Sequence, residues 1–195
     1  GKMRHRGNAP AVGDDEGFTF DPELGANKTD LSRYFDVKDY LSPHSDIAAL
    51  MVFEHQMYVQ NAITRTSRGL RVLSESVESA TEPLVDALLG YGEVTLSEPV
   101  IGSDVFRRDY EKSGARSGSR FNLRELDLTK RVYKYPISPM IESDSYKALP
   151  TAAKEYVRKR FGEIASAPGE KYSYLTESDF ALLRDYLRST SSGQP

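Results

Sequence analysis

The stretch from Ser42 to about Leu73, SPHSDIAALMVFEHQMYVQNAITRTSRGLRVL, constrains the fold of this chain more than any other. After Pro43 it runs without a proline, and its first half is the most apolar part of the sequence. Ser42 is placed to act as an N-cap, Pro43 suits the first helical position, and Asp46 falls in the first turn, where a carboxylate favours the helix dipole. Ile47, Met51, Tyr58 and Ala62 recur at helical spacing, and Ala48, Val52, Val59 and Ile63 widen the stripe. Among them sit Glu54, His55, Gln56, Gln60 and Asn61. Polar groups on a face wide enough to be largely buried need hydrogen-bond partners. This helix is therefore where a functional site is first sought.

The segments around it read as shorter helices and turns. Residues 1–30 alternate a basic KMRHRGN with an acidic GDDEG and scatter Gly7, Gly13, Gly17, Gly25, Pro10 and Pro22 between them. Such punctuation predicts an irregular, extended N-terminal arm, with FTFDPEL able to form one brief strand. DLSRYFDVKDYL carries Leu31, Tyr34, Phe35, Val37, Tyr40 and Leu41, enough apolar mass to dock on the long helix. Beyond Gly69, Thr81, Glu82 and Pro83 look like a second helix start, with Leu84, Val85, Leu88 and Leu89 as its buried face and Gly90 and Gly92 as its stop. Ser103 and Asp104 can cap a short helix ending at Gly114. GARSGSR reads as a Gly/Ser-rich loop.

Pro136 and Pro139 forbid a long helix through YPISPM. A short helix from Ser143 can carry Tyr146 and Leu149. Pro150 opens a helix with Ala153, Tyr156, Val157, Phe161 and Ile164 on one face. Thr176 caps a last one, with Asp179 in the capping-box position and Phe180, Leu183, Tyr186 and Leu187 as its stripe. The pattern predicts an all-α fold: an irregular helical domain of about five to seven helices over 31–190 around one long central helix. The arm 1–30 precedes it, and a frayed tail at 191–195 follows.

Bulk properties narrow the function. The net charge of −3 over 195 residues argues against a general nucleic-acid binder. No apolar run approaches the roughly 20 residues of a membrane span. The chain has no cysteine, which excludes disulfides, thiolate metal sites, iron–sulfur clusters and covalent c-type haem attachment here. No HExxH, GxSxG, GxGxxG, Walker or EF-hand pattern occurs, so no motif points to an enzyme.

The three histidines are His5, His44 and His55. His55 lies one turn from both Met51 and Val59 and shares their face. It reads either as a haem or metal ligand or as a core histidine hydrogen-bonded to a neighbour, the commoner arrangement. Glu54, Tyr58 and Asn61, at i, i+4 and i+7, form a polar seam that would fix helix packing. His44 suits a solvated surface, and His5 sits among Lys2, Arg4 and Arg6. Met140 is a soft candidate ligand in a proline-rich loop. No set of residues reads as a metal site.

Several blocks together resemble a family of bacterial exported proteins related to c-type cytochromes: RHRGN (4–8), TDLSRYFDVKDYLSPHSDIAALMVFEHQMYVQNAITR (29–65), GEVTLSEPVIGSDVF (92–106), LRELDL (123–128), YPISPMIESDSYKALP (135–150) and LTESDFALLRDYLRST (175–190). The resemblance implies one or more CxxCH haem motifs upstream of RHRGN, so that this chain is the C-terminal portion of a longer parent. It further implies a periplasmic or otherwise exported setting. The role it implies is that of an accessory domain packing on the haem-bearing domain of the same parent in electron transfer. Any haem c lies upstream and no cofactor in this portion. His55, His5 and Met140 are the haem-proximal candidates, with Glu54 and Asn61 as a supporting polar network. A helical interaction or structural module without a redox role is the alternative reading.

Overall fold

The computed structural model describes residues 11–14, 17–20, 32, 36–39, 46–93, 95–114 and 120–191. Among them run six α-helices: α1 (Ile47–Arg71), α2 (Val77–Leu88), α3 (Asp104–Gly114), α4 (Asp144–Lys147), α5 (Thr151–Ser166) and α6 (Glu177–Ser191). Short 3₁₀ turns at Pro139–Glu142 and Glu170–Tyr172 precede α4 and α6. The domain is an irregular all-α fold built on α1. The N-terminal arm departs from the expectation of irregular structure, because β1 (Ala11–Asp14) and β2 (Gly17–Phe20) pair antiparallel, Val12 opposite Thr19 and Gly13 opposite Phe18. The strand signal in FTF needed only a partner, and Ala11–Asp14 supplies it.

The long helix starts later than the Ser42–Pro43 pair predicts; that pair lies outside the described residues, and the cap of α1 is Asp46. Its carboxylate accepts from the backbone N–H groups of Ala48 and Ala49 at 2.9 and 3.1 Å, and its second oxygen accepts from Ser103 N–H at 2.9 Å. One side chain thus caps α1 and ties down the entry to α3. The helix continues through Gly69 and stops at Arg71, with Ser74 beyond it at a φ of 53°.

The second helix starts earlier than Thr81–Pro83 suggests. Ser76 caps it, accepting from Ser79 N–H at 3.1 Å, and Pro83 lies inside the helix on its exposed side. There the carbonyl that loses its backbone donor can turn to water. Gly90 and Gly92 end the turn in left-handed conformations, φ 71° and 83°. The capping box of α6 is reciprocal: Thr176 Oγ accepts from Asp179 N–H at 3.2 Å, and Asp179 accepts from Thr176 N–H at 2.9 Å.

Two apolar cores result. The larger joins Val59 and Ile63 of α1, Leu84, Val85 and Leu88 of α2, Val157, Phe161 and Ile164 of α5, and Phe180 and Leu183 of α6. The smaller joins Ala48 and Val52 at the start of α1 to Leu126, Leu128, Val132 and Tyr133, the last four from a tight reverse turn in which Leu126 and Tyr133 bridge antiparallel. The inner face of α1 therefore runs Ala48, Val52, His55, Val59, Ile63, Thr66 and Gly69. The residues expected to widen the stripe are its centre, whereas Ile47, Met51 and Ala62 lie at its margins and Tyr58 is exposed. No helix among the described residues is long and apolar enough to cross a membrane.

Candidate functional site

His55 occupies the one position on the inner face of α1 where the two cores meet, a turn from Val52 on one side and from Val59 on the other. It is only 7% exposed. A buried imidazole needs partners for both ring nitrogens, and the chain supplies them from two distant segments. Nδ1 meets the carboxylate of Glu93 in a hydrogen bond. Nε2 meets the hydroxyl of Ser138 at 2.7 Å.

Local structure delivers both partners. The left-handed Gly90 and Gly92 turn the chain back at the end of α2, and Glu93 N–H donates to Gly90 C=O at 3.1 Å, which presents the carboxylate to α1. Ser138 is held by its own backbone, whose N–H donates to Leu88 C=O at 2.8 Å, so the end of α2 positions both residues. The Ser138 hydroxyl also accepts from Met140 N–H at 3.2 Å as cap of the 3₁₀ turn. That bond leaves the hydroxyl proton free to donate to Nε2. The neutral ring then carries its proton on Nδ1, facing Glu93. The chain of donors is Met140 N–H to Ser138, Ser138 to His55, and His55 to Glu93.

Tyr133 packs its ring edge-on against His55, with centroids 4.8 Å apart. Its hydroxyl bonds that of Tyr110 at 3.0 Å, which in turn accepts from Gln56 Nε2 at 3.4 Å. Burial pushes the Tyr133 phenol far above its ordinary value, with the Tyr110 hydroxyl adding to the effect, so it stays neutral. His55, Glu93, Ser138 and Tyr133, together with Arg131 and Asp179, line a cavity of about 530 Å³. Arg131 fixes one wall: its guanidinium donates to the carbonyls of Tyr133 and Lys134 at 3.0 and 2.9 Å and to Asp179 at 2.5 Å. Burial alone would raise the Asp179 carboxyl. The Arg131 guanidinium and the Thr176 N–H and hydroxyl outweigh it and hold the group below the usual carboxylate value.

Of the residues singled out from the sequence, His55 is the centre of this arrangement and Met140 touches it through its backbone, its side chain packing on the larger core. His5 lies outside the described residues. Glu54 and Asn61 do not take part: both are exposed, on the side of α1 turned from the core. The seam expected from Glu54, Tyr58 and Asn61 is a solvent-facing line, because the inner face is centred on Val52, His55 and Val59 rather than on Met51 and Tyr58. Glu93, Ser138, Tyr133 and Tyr110 carry the site and were not foreseen. Glu93 and Ser138 lie 38 and 83 residues from His55, and no local spacing links such positions. The one available signal is the Ser138–Pro139 pair, a cap followed by proline at the first helical position.

The arrangement does not suit haem ligation. Both nitrogens of His55 are committed to protein partners, Glu93 and Ser138, so an iron could be ligated only by breaking one of those bonds. Among the described residues no three metal-ligating side chains converge. What the geometry can do is pass a proton along a line, with Glu93 stabilising the imidazolium that forms when His55 takes the Ser138 proton. No family model, curated protein or solved structure matches this chain.

Proposed function

We propose that the chain serves as an accessory helical domain that packs on the haem-bearing domain of a c-type cytochrome-like, exported parent protein. Two things support the reading: the sequence blocks that resemble that family, and a second apolar stripe on α1. Leu50, Phe53 and Met57 lie at i, i+3 and i+7, on the side away from the inner face. Phe53 is 57% and Met57 46% exposed, with Tyr58 beside them at 49%. A helix that carries an apolar strip on its outer side, here alongside Glu54 and Asn61, is suited to being covered there as well as on its inner face. That stripe is the observation that carries the proposal.

The domain on this reading shields and orients its partner, and the electron-transfer chemistry belongs to the haem. The test is made in the parent protein, its upstream sequence first read for CxxCH. Replacing Phe53 and Met57 together by serine then loosens the two parts, seen as faster proteolysis between them and a shifted haem potential, while the helical content stays unchanged. An upstream region without CxxCH, or a double variant identical to the parent in both readouts, overturns the proposal. The surviving reading is then a helical interaction module without a redox role.

A further inference from the structure

We infer that Ser138, His55 and Glu93 form a nucleophilic centre that takes an acyl group from a small ester entering the cavity beside them. This inference stands apart from the packing role proposed above.

Three observations carry it. The first is order: hydroxyl, imidazole and carboxylate are joined in line, Oγ to Nε2 at 2.7 Å and Nδ1 to Glu93, which is the connectivity that lets a histidine deprotonate a serine. The second is independence of origin. The three come from α1, the loop after α2 and the turn before the 3₁₀ segment, so no local motif forces them together. The third is that all three face one cavity of about 530 Å³, in the size range of small-molecule sites. Leu88, Leu89, Val132 and Ile137 give it an apolar wall suited to a short acyl chain.

The step balances without a cofactor. Ser138 Oγ attacks the ester carbonyl carbon while its proton passes to His55 Nε2. The tetrahedral intermediate collapses, the C–O bond to the alcohol breaks, and the leaving alkoxide takes the proton back from His55. A water deprotonated by His55 then attacks the acyl carbon, the bond from that carbon to Ser138 Oγ breaks, and Oγ takes the proton back from His55 as the acid leaves. Here Ser138 is the nucleophile, His55 the general base, and Glu93 a positioning residue.

The same geometry limits the rate. Pro139 follows the nucleophile and has no N–H, so the donor that this neighbour would offer the oxyanion is missing. A single lost oxyanion donor costs about 10²–10³ in rate. The centre is therefore expected to acylate and turn over slowly, and a covalent probe reads it better than steady-state hydrolysis.

The experiment incubates the purified chain with a small alkyl fluorophosphonate and, separately, with p-nitrophenyl acetate, and locates the adduct by peptide mass spectrometry. The expected result is one adduct, on Ser138, and a stoichiometric burst of p-nitrophenolate. His55→Gln, which keeps a polar side chain in the gap, should slow labelling by about 10²–10⁴-fold. Glu93→Gln should slow it in a protein that still melts cooperatively. Ser143→Ala, a cap in the next turn, should label at the wild-type rate. No adduct on folded wild-type chain, an adduct elsewhere that persists in Ser138→Ala, or undiminished labelling in folded His55→Gln each overturns the inference.

Discussion

Gly69 of α1 lies so close to Ala80 of α2 that a Cβ placed on the glycine would sit 3.0 Å from that of the alanine. One turn earlier on α1, Thr66 Oγ donates to Ala80 C=O at 2.9 Å, so the crossing is pinned by a hydrogen bond as well as by contact. Gly69→Ala would gain roughly 1 kcal/mol of helix propensity. Ala80 has no rotamer with which to yield, however, and overpacking costs about 1–3 kcal/mol. The expected result is a net loss of stability of about 1 kcal/mol in urea unfolding, and a larger loss for Gly69→Leu.

Thr81, the next residue, is fully buried, and among the described residues its hydroxyl has no hydrogen-bond partner. A buried unsatisfied hydroxyl is costly, and an isosteric apolar group removes the cost. Thr81→Val should therefore be neutral or stabilise by up to about 1 kcal/mol, read as a rise in the denaturant midpoint with unchanged slope. A clear loss would mean that the hydroxyl has a partner after all.

His55→Ala should destabilise strongly. It removes a buried ring from the junction of the two cores and strands the Ser138 hydroxyl, for a combined loss of about 3 kcal/mol. Ser138→Ala alone should cost about 1 kcal/mol. Because the two side chains share a hydrogen bond, the double variant should lose less than the sum, and a double-mutant cycle in urea measures the difference.

Acid stability follows from the depressed carboxyls. Asp179 and Glu82 are both held below their ordinary values of 3.8 and 4.5. For Glu82, burial raises the group, but Arg160, at 3.0 Å through two nitrogens, and the Tyr156 hydroxyl lower it by more. A depressed folded pKa stabilises fully above the unfolded value, and the gain is lost as pH falls through the folded one. The urea midpoint should thus hold above about pH 5 and decline below pH 4. Asp179→Asn should be less stable at pH 7 and lose less on acidification.

What the sequence made legible was chiefly what local chemistry decides. Thr176 and Asp179 announced the last helix because a capping box lies within four residues. Gly90 and Gly92 announced the end of α2 because only glycine takes their backbone conformation cheaply. Thr81, Glu82 and Pro83 misled because a proline after polar residues imitates a helix start, whereas Ser76 before Val77 offered the working cap. The inner face of α1 was misplaced by roughly one residue: Met51 and Tyr58 are as apolar as Val52 and Val59, and only the packing of α2 and the 126–133 turn decides between them. That small rotation made Glu54 and Asn61 look inward. The site itself was half visible. His55 was noticed, but its partners arrive by tertiary contact from 38 and 83 residues away, where no periodicity reaches.

The junction of the two cores at His55 bears on how the protein comes apart. The smaller core has few fully buried side chains, and a body of that size holds little stability of its own. Its attachment to the rest runs along α1, through the Arg131–Asp179 ion pair and through the imidazole that links Glu93 and Ser138. Amide exchange in the wild-type chain should show the 126–133 turn and the start of α1 opening together with α2. In His55→Ala the same amides should open at lower free energy while Phe161 and Leu183 keep their protection. Cooperative melting across the domain then depends in good part on a side chain whose two nitrogens bond different segments.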